Sequence, residues 1–187
     1  PVASGCDLME EGLCNQDVVM LQKNTSLRLA YEQLVGYCFE PHIAPHIASD
    51  ECGVPIELDV LSQGLTRLKE TDADMIFVEG AGGWRLPIGH GHFLSDWVRH
   101  EDLPVILVVG AKLGCLNHAM LTSEAIERDH LNLAGWCVNR IHPGMSYYKA
   151  NLDTLKSLLP APFLGEIPYL ARPFESDLGQ YLDLSAL

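Results

Sequence analysis

The sequence predicts an α/β fold in which helices cover a mainly parallel β-sheet. Strands are predicted at residues 75–79, 104–110, 131–139 and 163–167. The continuous apolar runs at 75–78 and 104–110 are typical of strands buried on both faces of a parallel sheet. Segments with helical periodicity separate these runs, and strand–helix–strand repeats of this length form right-handed crossovers. Because 187 residues without repeats or linkers suffice for one core, we expect a single domain over residues 1–187.

Helices are predicted beside these strands where apolar residues recur every three or four positions. They are residues 56–71, 93–100, 117–128 and 147–159. In the last of them, Leu152, Leu155 and Leu158 are expected to face inward. The first fifty residues fit this rhythm poorly: residues 15–23 are compatible with a helix, residues 1–5 with a turn, and prolines break residues 41–49.

The composition argues against several classes of partner. Acidic residues outnumber basic ones by 25 to 12, for a formal net charge of −13, whereas a nucleic-acid surface needs basic patches. No apolar stretch approaches the roughly 20 residues needed to cross a bilayer. The six cysteines form no CxxC pair, so we expect reduced thiols in a cytoplasmic protein without a nucleic-acid or membrane partner.

Residues 74–84, DMIFVEGAGGW, form the most informative segment of the chain. A carboxylate, Glu79, ends the first predicted strand, at the sheet edge where open α/β folds bind their ligands. The glycines that follow let a backbone approach a bound group closely and offer N–H donors to an anion. A carboxylate beside a phosphate-sized space indicates a magnesium ligand on a nucleotide. The alternative is a strand that merely stops at a polar turn.

The later strand ends also carry polar or permissive residues. Gly110 precedes a loop with Gly114 and Asn117 at a helix amino terminus, which favours anions through free N–H groups and the helix dipole. Asn139 ends the next strand, where its amide can pair with a purine edge, and residues 168–170 end the last. Taken singly, Asn117 is more readily explained as a helix N-cap, and Asn139 equally well as a turn former. Together, these positions indicate a ligand lying across the carboxyl edge of the sheet.

Segments throughout the chain resemble the dethiobiotin synthase family and occur in the same order. They are PVASG at 1–5, Asp17, APHIAS at 44–49, VEGAGGW at 78–84, LPVILVVGAKLGCLNHAMLT at 103–122, AGWCVN at 134–139 and LGEIPYL at 164–170. The resemblance implies a doubly wound, P-loop NTPase-like fold. It also implies an ATP- and Mg2+-dependent cyclo-ligase of biotin biosynthesis, which joins CO2 to 7,8-diaminononanoate to form the ureido ring of dethiobiotin.

The resemblance further implies roles for individual residues. Asp17 and Glu79 would be magnesium ligands, and Ser4 would contact the diamine or its carbamate. The substrate-binding positions that it implies are Ser4, Gly82, Gly114, Cys115, Leu116 and Asn117, the last four holding the distal carboxylate across a homodimer interface. The nucleotide-binding positions that it implies are Asp17, Glu79, Gly80, Ala81, Gly82, Asn139, Arg140, Pro168, Tyr169, Leu170 and Glu175.

One departure from the family is large, because the chain contains no G-x-x-x-x-G-K-[ST] phosphate loop. The family also has a lysine directly before the proline that matches Pro1. We therefore expect a chain truncated before the P-loop, without the first strand, without a catalytic residue of its own and inactive alone. Two alternatives stay open: a catalytically dead remnant that only dimerises through residues 110–121, and a related P-loop amidoligase for another substrate.

Overall fold

The computed structural model describes residues 1–10 and 12–187, except for the side chain of Glu175. The chain folds into two compact units, Pro1–Glu101 and Asp102–Leu187. Each unit contains buried apolar side chains. The expectation of a single domain over residues 1–187 stays a prediction.

The first unit combines helices with short strand pairs. Its elements are β1 (Val2–Ser4), β2 (Asp7–Met9), β3 (Gly12–Cys14), α1 (Gln16–Asn24), α2 (Tyr31–Leu34), β4 (Tyr37–Phe39), α3 (Pro45–Cys52), α4 (Leu58–Lys69), β5 (Pro87–Gly89), β6 (His92–Phe93) and α5 (Leu94–His100). β1 and β4 pair in parallel, with Val2 opposite Tyr37 and Ser4 opposite Phe39. β2 with β3, and β5 with β6, form antiparallel pairs.

The helices predicted for this unit are confirmed. α1 begins after Asn15, whose side chain caps it, and matches the helix expected at residues 15–23. α4 and α5 match the helices expected at residues 56–71 and 93–100. Leu61 and Leu65 of α4 are buried, as the leucine spacing predicts.

Two local predictions for the first fifty residues are wrong. Residues 1–5 do not form a simple turn, because they contain β1. Residues 41–49 are not broken by their prolines, because α3 begins at Pro45. Proline fits the first position of a helix, since an N–H there would have no intrahelical acceptor.

The strand predicted at residues 75–79 belongs to no sheet in the described part of the chain. Met75 and Phe77 are 54% and 59% exposed, so the expected burial on both faces is also wrong. A strand becomes buried only when neighbouring strands and covering layers surround it. The apolar run supplies the side chains for such a strand but cannot supply its neighbours.

The second unit alternates strands and helices. Its elements are β7 (Val105–Gly110), α6 (Cys115–Arg128), β8 (Leu133–Asn139), α7 (Tyr148–Leu158), β9 (Phe163–Ile167) and short 3₁₀ turns at Pro173–Glu175 and Gly179–Tyr181. Within residues 102–187, β8 lies between β7 and β9 and pairs with both in parallel. This arrangement confirms the predicted α/β class and the strands and helices expected from residue 104 onward.

The core of the second unit lies between the sheet and the helices α6 and α7. Val109 and Trp136 of the strands pack with Leu152 and Leu155 of α7, which face inward as predicted. Val108, in contrast, is exposed, so the expectation that β7 is buried on both faces is wrong.

The prediction for the end of α7 is also wrong at one position. Leu158 is 50% exposed, whereas Leu159 is buried. A helix turns by about 100° per residue, so, viewed down the axis of α7, Leu159 lies about 40° from Leu155, on the same side as Leu152. Leu158 lies about 60° from Leu155 on the opposite side. The helix therefore turns Leu159, and not Leu158, toward the core.

All six cysteines are free thiols, as their spacing predicts, and Cys6, Cys115 and Cys137 are buried. Burial raises the pKa of the Cys137 thiol, and burial together with neighbouring Cys38 raises the pKa of Cys6 to about 11. Cys6 and Cys137 are therefore protonated at neutral pH. Across the residues that the structure describes, no helix is long and apolar enough to span a bilayer.

Candidate functional site

A cavity of about 340 Å³ brings together predicted site residues of the first unit. Its wall includes parts of β1, α1 and α4 together with residues 75–81. Ser4, Asp17 and Glu79 all line it. The two expected magnesium ligands and the expected diamine contact therefore lie on the wall of one cavity, most of whose other lining residues are apolar.

Asp17 is positioned by the first turn of α1. Its backbone N–H donates to Oδ1 of Asn15 at 2.9 Å, and the Val18 N–H donates to the same oxygen at 3.4 Å. This cap satisfies donors that lack intrahelical acceptors and fixes where the helix begins. Asp17 is exposed, and the helix dipole favours a negative charge at this end. The position therefore suits a metal ligand as well as an ordinary first-turn carboxylate.

Ser4 is held by contacts that the sequence interpretation missed. Nδ2 of Asn15 donates to the Ser4 carbonyl oxygen at 3.3 Å, and the Asn15 N–H donates to the Tyr31 hydroxyl at 2.8 Å. Burial, with a hydrogen bond to Cys38, raises the pKa of that hydroxyl above its usual value. An asparagine just before a helical pattern is an N-cap signal that could have identified Asn15. No sequence pattern marks Tyr31.

The glycine-rich turn after Glu79 has a defined local conformation. Glu79 is exposed, and Gly80 and Ala81 line the cavity beside it. Gly82 has a φ of +64°, and a Cβ there would lie 2.9 Å from Cδ1 of Leu86. A side chain at Gly82 would therefore strain the backbone and displace a buried leucine. The backbone conformation at Gly82 therefore favours glycine, whatever the turn binds.

The oxygen donors on this wall fit Mg2+, which commonly takes one or two carboxylates and completes its shell with waters and phosphates. Among the described residues, neither Asp17 nor Glu79 forms an ion pair within 4.0 Å. No cluster of three or more His, Cys, Asp or Glu suited to a metal occurs in residues 1–10 and 12–187. An ion here would therefore need further ligands from a nucleotide or water.

The second unit places its predicted site residues at one edge of the sheet. Gly110, Asn139 and Ile167 are paired across β7, β8 and β9 and end the three strands. The Ala111 N–H donates to the Asn139 carbonyl at 2.8 Å, and the Arg140 N–H donates to the Ile167 carbonyl at 2.9 Å. The predicted site residues at or after these strand ends are Gly114, Cys115, Leu116, Asn117, Asn139, Arg140, Pro168, Tyr169 and Leu170.

The expected carboxylate site is the amino terminus of α6. Gly114 is the N-cap, with a left-handed φ of 91° that favours glycine. The Cys115 N–H donates to the Lys112 carbonyl at 3.0 Å and the Cys115 side chain is buried, so this residue contributes packing. Asn117 lies inside the helix and is exposed, so its interpretation as the N-cap is wrong. The first turn nevertheless presents the N–H groups and dipole that favour an anion.

Arg140 is anchored beside the end of β8. Its Nη1 lies 3.7 Å from Oε1 of Glu166, and its guanidinium lies 4.6 Å from the ring centroid of Tyr148. Its Nη2 donates to the Pro143 carbonyl at 3.5 Å. Burial, followed by the neighbouring Glu166, raises the pKa of the Tyr148 hydroxyl. These contacts hold a cation next to Asn139 at the edge of the sheet.

The remaining expected nucleotide contacts follow β9. Tyr169 is exposed, between Pro168 and Leu170. An exposed aromatic ring can stack on a planar ligand. The side chain of Glu175, the last expected nucleotide contact, lies outside the described residues.

Comparison with known proteins first identifies the class. The family profile described as the AAA domain matches residues 3–173, most of the chain. Together with the parallel strand pairing, this match identifies a P-loop NTPase-like α/β protein. The fold class expected from the sequence is therefore confirmed.

Curated relatives narrow the class to one family. The ATP-dependent dethiobiotin synthetase BioD of Tolumonas auensis is 64% identical over 188 residues, which cover 100% of this chain and 83% of the relative. The proteins of the same name from Aeromonas hydrophila and Vibrio parahaemolyticus are 54% and 48% identical, with 83% and 82% of their lengths covered. The chain therefore belongs to the dethiobiotin synthetase family, a family of ligases, as the resemblance of its segments predicts.

Proposed function

We propose that the protein is an ATP- and Mg2+-dependent ligase that closes the ureido ring of dethiobiotin. Its substrates are 7,8-diaminononanoate, CO2 and ATP. The observation that carries this proposal is the 64% identity, over the whole of this chain, to an ATP-dependent dethiobiotin synthetase. The cavity shared by Ser4, Asp17 and Glu79 supports it.

The proposed reaction has three steps. One substrate amine attacks CO2 and loses a proton, which gives a carbamate. A carbamate oxygen then takes the γ-phosphoryl group of ATP, giving a carbamic-phosphoric anhydride and ADP. The second amine attacks the carbonyl carbon, closes the ring, loses a proton and expels phosphate. Phosphoryl transfer depends mainly on positioning and charge neutralisation, so the protein has to hold and orient the reacting groups.

The first unit would hold the reacting end of the substrates. Ser4, at the end of β1, would contact the diamine or its carbamate. Asp17 and Glu79 would hold Mg2+, which when bound supplies positive charge near the transferred phosphoryl group. Residues 80–82 would lie along the nucleotide phosphates, where backbone N–H groups can donate to anionic oxygens.

The second unit would recognise the remaining groups. The amino terminus of α6, residues 114–117, would bind the distal carboxylate of the diamine across a homodimer interface. Leu113, just before α6, is 96% exposed, and Leu121, on α6, is 57% exposed. These exposed apolar side chains support a subunit contact there. Residues 139–140 and 168–170 would form the nucleoside pocket, with amide and cationic groups beside an exposed aromatic ring.

The 187 residues alone are proposed to be inactive. They contain no G-x-x-x-x-G-K-[ST] loop, whose backbone N–H groups and lysine hold the phosphates in P-loop enzymes. The named relatives are longer, since this chain covers 83% of the two most similar ones described above. We therefore expect ATP turnover, in the cytoplasm, from the complete gene product and not from these 187 residues in isolation.

Product formation tests both proposals. The complete gene product and the 187-residue chain are each incubated with diaminononanoate, bicarbonate, ATP and MgCl2, and dethiobiotin is measured by mass spectrometry. Dethiobiotin from the complete product alone is the expected result. Its absence from both reactions refutes the ligase proposal, and its formation by the 187-residue chain refutes the proposed inactivity. Turnover of another substrate would identify a related amidoligase, and dimers without turnover would identify the catalytically dead remnant.

A further inference from the structure

Asn15 is a buried polar residue between two parts of the proposed site, and it is 9% exposed. Its side-chain oxygen accepts hydrogen bonds from the N–H groups of Asp17 at 2.9 Å and Val18 at 3.4 Å. Its side-chain nitrogen donates to the Ser4 carbonyl at 3.3 Å. One amide therefore uses its acceptor on the start of α1 and its donor on the end of β1.

Tyr31 restrains Asn15 through its backbone. The Asn15 N–H donates to the Tyr31 hydroxyl at 2.8 Å, and that hydroxyl lies 3.5 Å from Sγ of Cys38. Cys38 belongs to β4 and lies opposite Ala3 of β1. β1, β4, Tyr31 and Asn15 thus form a closed ring of contacts, so Asn15 cannot shift without disturbing β1.

An ordinary N-cap needs only half of this arrangement. Serine and aspartate cap helices about as well as asparagine, because all three offer a side-chain acceptor. Neither replaces the donor of Asn15, since ionised aspartate has no donor and the serine hydroxyl is shorter and engaged at the helix. The donor on Ser4 is therefore the feature that an N-cap alone does not explain.

We infer that Asn15 is a positioning residue that sets the separation between Ser4 and Asp17. The inference rests on the proposed function, in which these residues are the diamine contact and a metal ligand. The acceptor of Asn15 holds Asp17 at the start of α1, and its donor holds Ser4 at the end of β1. Loss of the Asn15 donor alone should therefore weaken binding of the diamine. Loss of both the donor and the acceptor should also weaken binding of the metal.

Two substitutions separate these effects. Asn15→Ser keeps an acceptor for the helix and removes the donor to Ser4, whereas Asn15→Ala removes both. Because Asn15→Ser keeps the cap, its effect is separable from a loss of fold. The matched control is Asn151→Ala, since Asn151 lies on α7, outside the cavity wall, and its Nδ2 donates to the Tyr147 carbonyl at 2.9 Å. Each change is made in the complete gene product.

Steady-state kinetics give the first readout. Asn15→Ser should raise the KM for diaminononanoate roughly fivefold to tenfold, the effect of about one lost hydrogen bond. The Mg2+ concentration that gives the half-maximal rate should stay within about twofold of the parent value in Asn15→Ser. Asn15→Ala should raise both this concentration and the KM for diaminononanoate. Asn151→Ala should leave both quantities within about twofold of the parent values.

Two readouts are independent of turnover. Mn2+ binding, followed by electron paramagnetic resonance, should weaken in Asn15→Ala but not in Asn15→Ser. Hydrogen exchange at the Asp17 and Val18 amides should accelerate in the same variant, because these N–H groups lose their acceptor. A general loss of stability would instead accelerate exchange throughout the chain.

If both Asn15 variants match Asn151→Ala, or only lose thermal stability, Asn15 is a structural cap and the inference is wrong. Ser4→Ala and Asp17→Asn distinguish this result from failure of the proposed function. If Ser4→Ala leaves the diamine KM unchanged and Asp17→Asn leaves the Mg2+ dependence unchanged, the proposed site is wrong. The positioning role of Asn15 is then refuted with it.

Discussion

Replacing Ser62 with alanine should destabilise the first unit more than an ordinary serine substitution. The Ser62 hydroxyl, on α4, donates to Oε1 of Glu101 at 2.5 Å and accepts from Nε1 of Trp97 at 3.1 Å. Trp97 is 1% exposed, so its indole N–H has little access to water. Lys69 Nζ lies 3.6 Å from the second oxygen of Glu101. One hydroxyl therefore serves a buried donor and a carboxylate at once.

The expected loss of unfolding free energy follows from the two groups that Ser62→Ala deprives of the hydroxyl, the Trp97 indole N–H and the Glu101 carboxylate. A buried donor without an acceptor costs about 1–3 kcal/mol, and a hydrogen bond to a charged group contributes about 1.5–3 kcal/mol. Glu101 retains its contact with Lys69, so the second contribution should be near its lower limit. We therefore expect Ser62→Ala to lower the free energy of unfolding by about 2.5–4.5 kcal/mol.

The effect of this substitution should depend on pH. The hydrogen bond from Ser62 lowers the pKa of the Glu101 carboxyl, although burial opposes the shift. A lowered folded-state pKa gives stability that is present above the unfolded-state pKa and is lost as pH falls through the folded-state pKa. The difference in unfolding free energy between the parent chain and Ser62→Ala should be full at neutral pH and decrease below the normal glutamate pKa.

Urea unfolding followed by tryptophan fluorescence, at neutral and acidic pH, measures this difference. Thr66→Ala is the control, because Thr66 is an exposed residue one turn along α4 whose hydroxyl donates to the Ser62 backbone carbonyl at 2.9 Å. A loss for Ser62→Ala no greater than for Thr66→Ala would refute the reasoning. A loss that stays constant through the acidic range would show that the Glu101 contact contributes little.

Three further substitutions test separate features. Asp17→Asn in the complete gene product should raise the Mg2+ concentration for half-maximal rate about tenfold or more, and an unchanged Mg2+ titration would exclude it as a ligand. Leu155→Ala should lower the free energy of unfolding, measured by urea titration, by about 2–5 kcal/mol, because Leu155 is buried. Leu158→Ala, at an exposed position, should lower it by less than about 1 kcal/mol. Equal losses would contradict the inward position of Leu155. Gly165→Ala should lower the free energy of unfolding by more than about 2 kcal/mol and lower Tm, because φ at Gly165 is +145° and a Cβ there would collide with the Tyr181 carbonyl. An unchanged Tm would contradict this expectation.

The second unit shows which parts of the fold a sequence pattern can predict. β7 and β8 are mostly apolar, β9 is a shorter strand, and α6 and α7 lie between the strands in sequence. Local pattern and final pairing agree there, so the strands and helices occur close to their expected positions. The exception at Leu158 arises because a spacing of three residues does not specify which side of the inward direction a side chain lies on.

The first unit shows why the remaining parts could not be predicted. Residues 75–79 have the apolar run of a buried strand, yet burial depends on neighbouring strands that no local pattern specifies. β1 is only three residues long, too short to show a period. The start of α3 was obscured because Pro45 resembles a helix breaker until its place at the first helical position is known.

Prediction of the candidate site has a similar limit. The pattern of the sequence led to Glu79, as a carboxylate between an apolar run and a glycine turn. It could not identify Ser4 or Asp17, which came from the family resemblance. The resemblance, by making Asp17 and Glu79 ligands of one ion, implied that distant segments of the chain meet at one site, which no local pattern could show. Asn15 was missed because an N-cap signal does not reveal a second partner on another strand.

Asn15 joins Ser4 to the start of α1 more directly than the chain between them does. The β2–β3 hairpin lies between these residues, and its side chains Leu8 and Met9 are largely exposed. The hairpin pairs Asp7 with Cys14, and the N–H groups of Gly5 and Cys6 donate to the carbonyls of Pro41 and Phe39. These bonds return the chain to the end of β1, but they do not join the Ser4 carbonyl to the start of α1, whereas the hydrogen bond from Asn15 does so directly. Loss of the Asn15 donor should therefore not be compensated by an intact hairpin, and the raised KM for diaminononanoate in Asn15→Ser should persist while the hairpin stays folded.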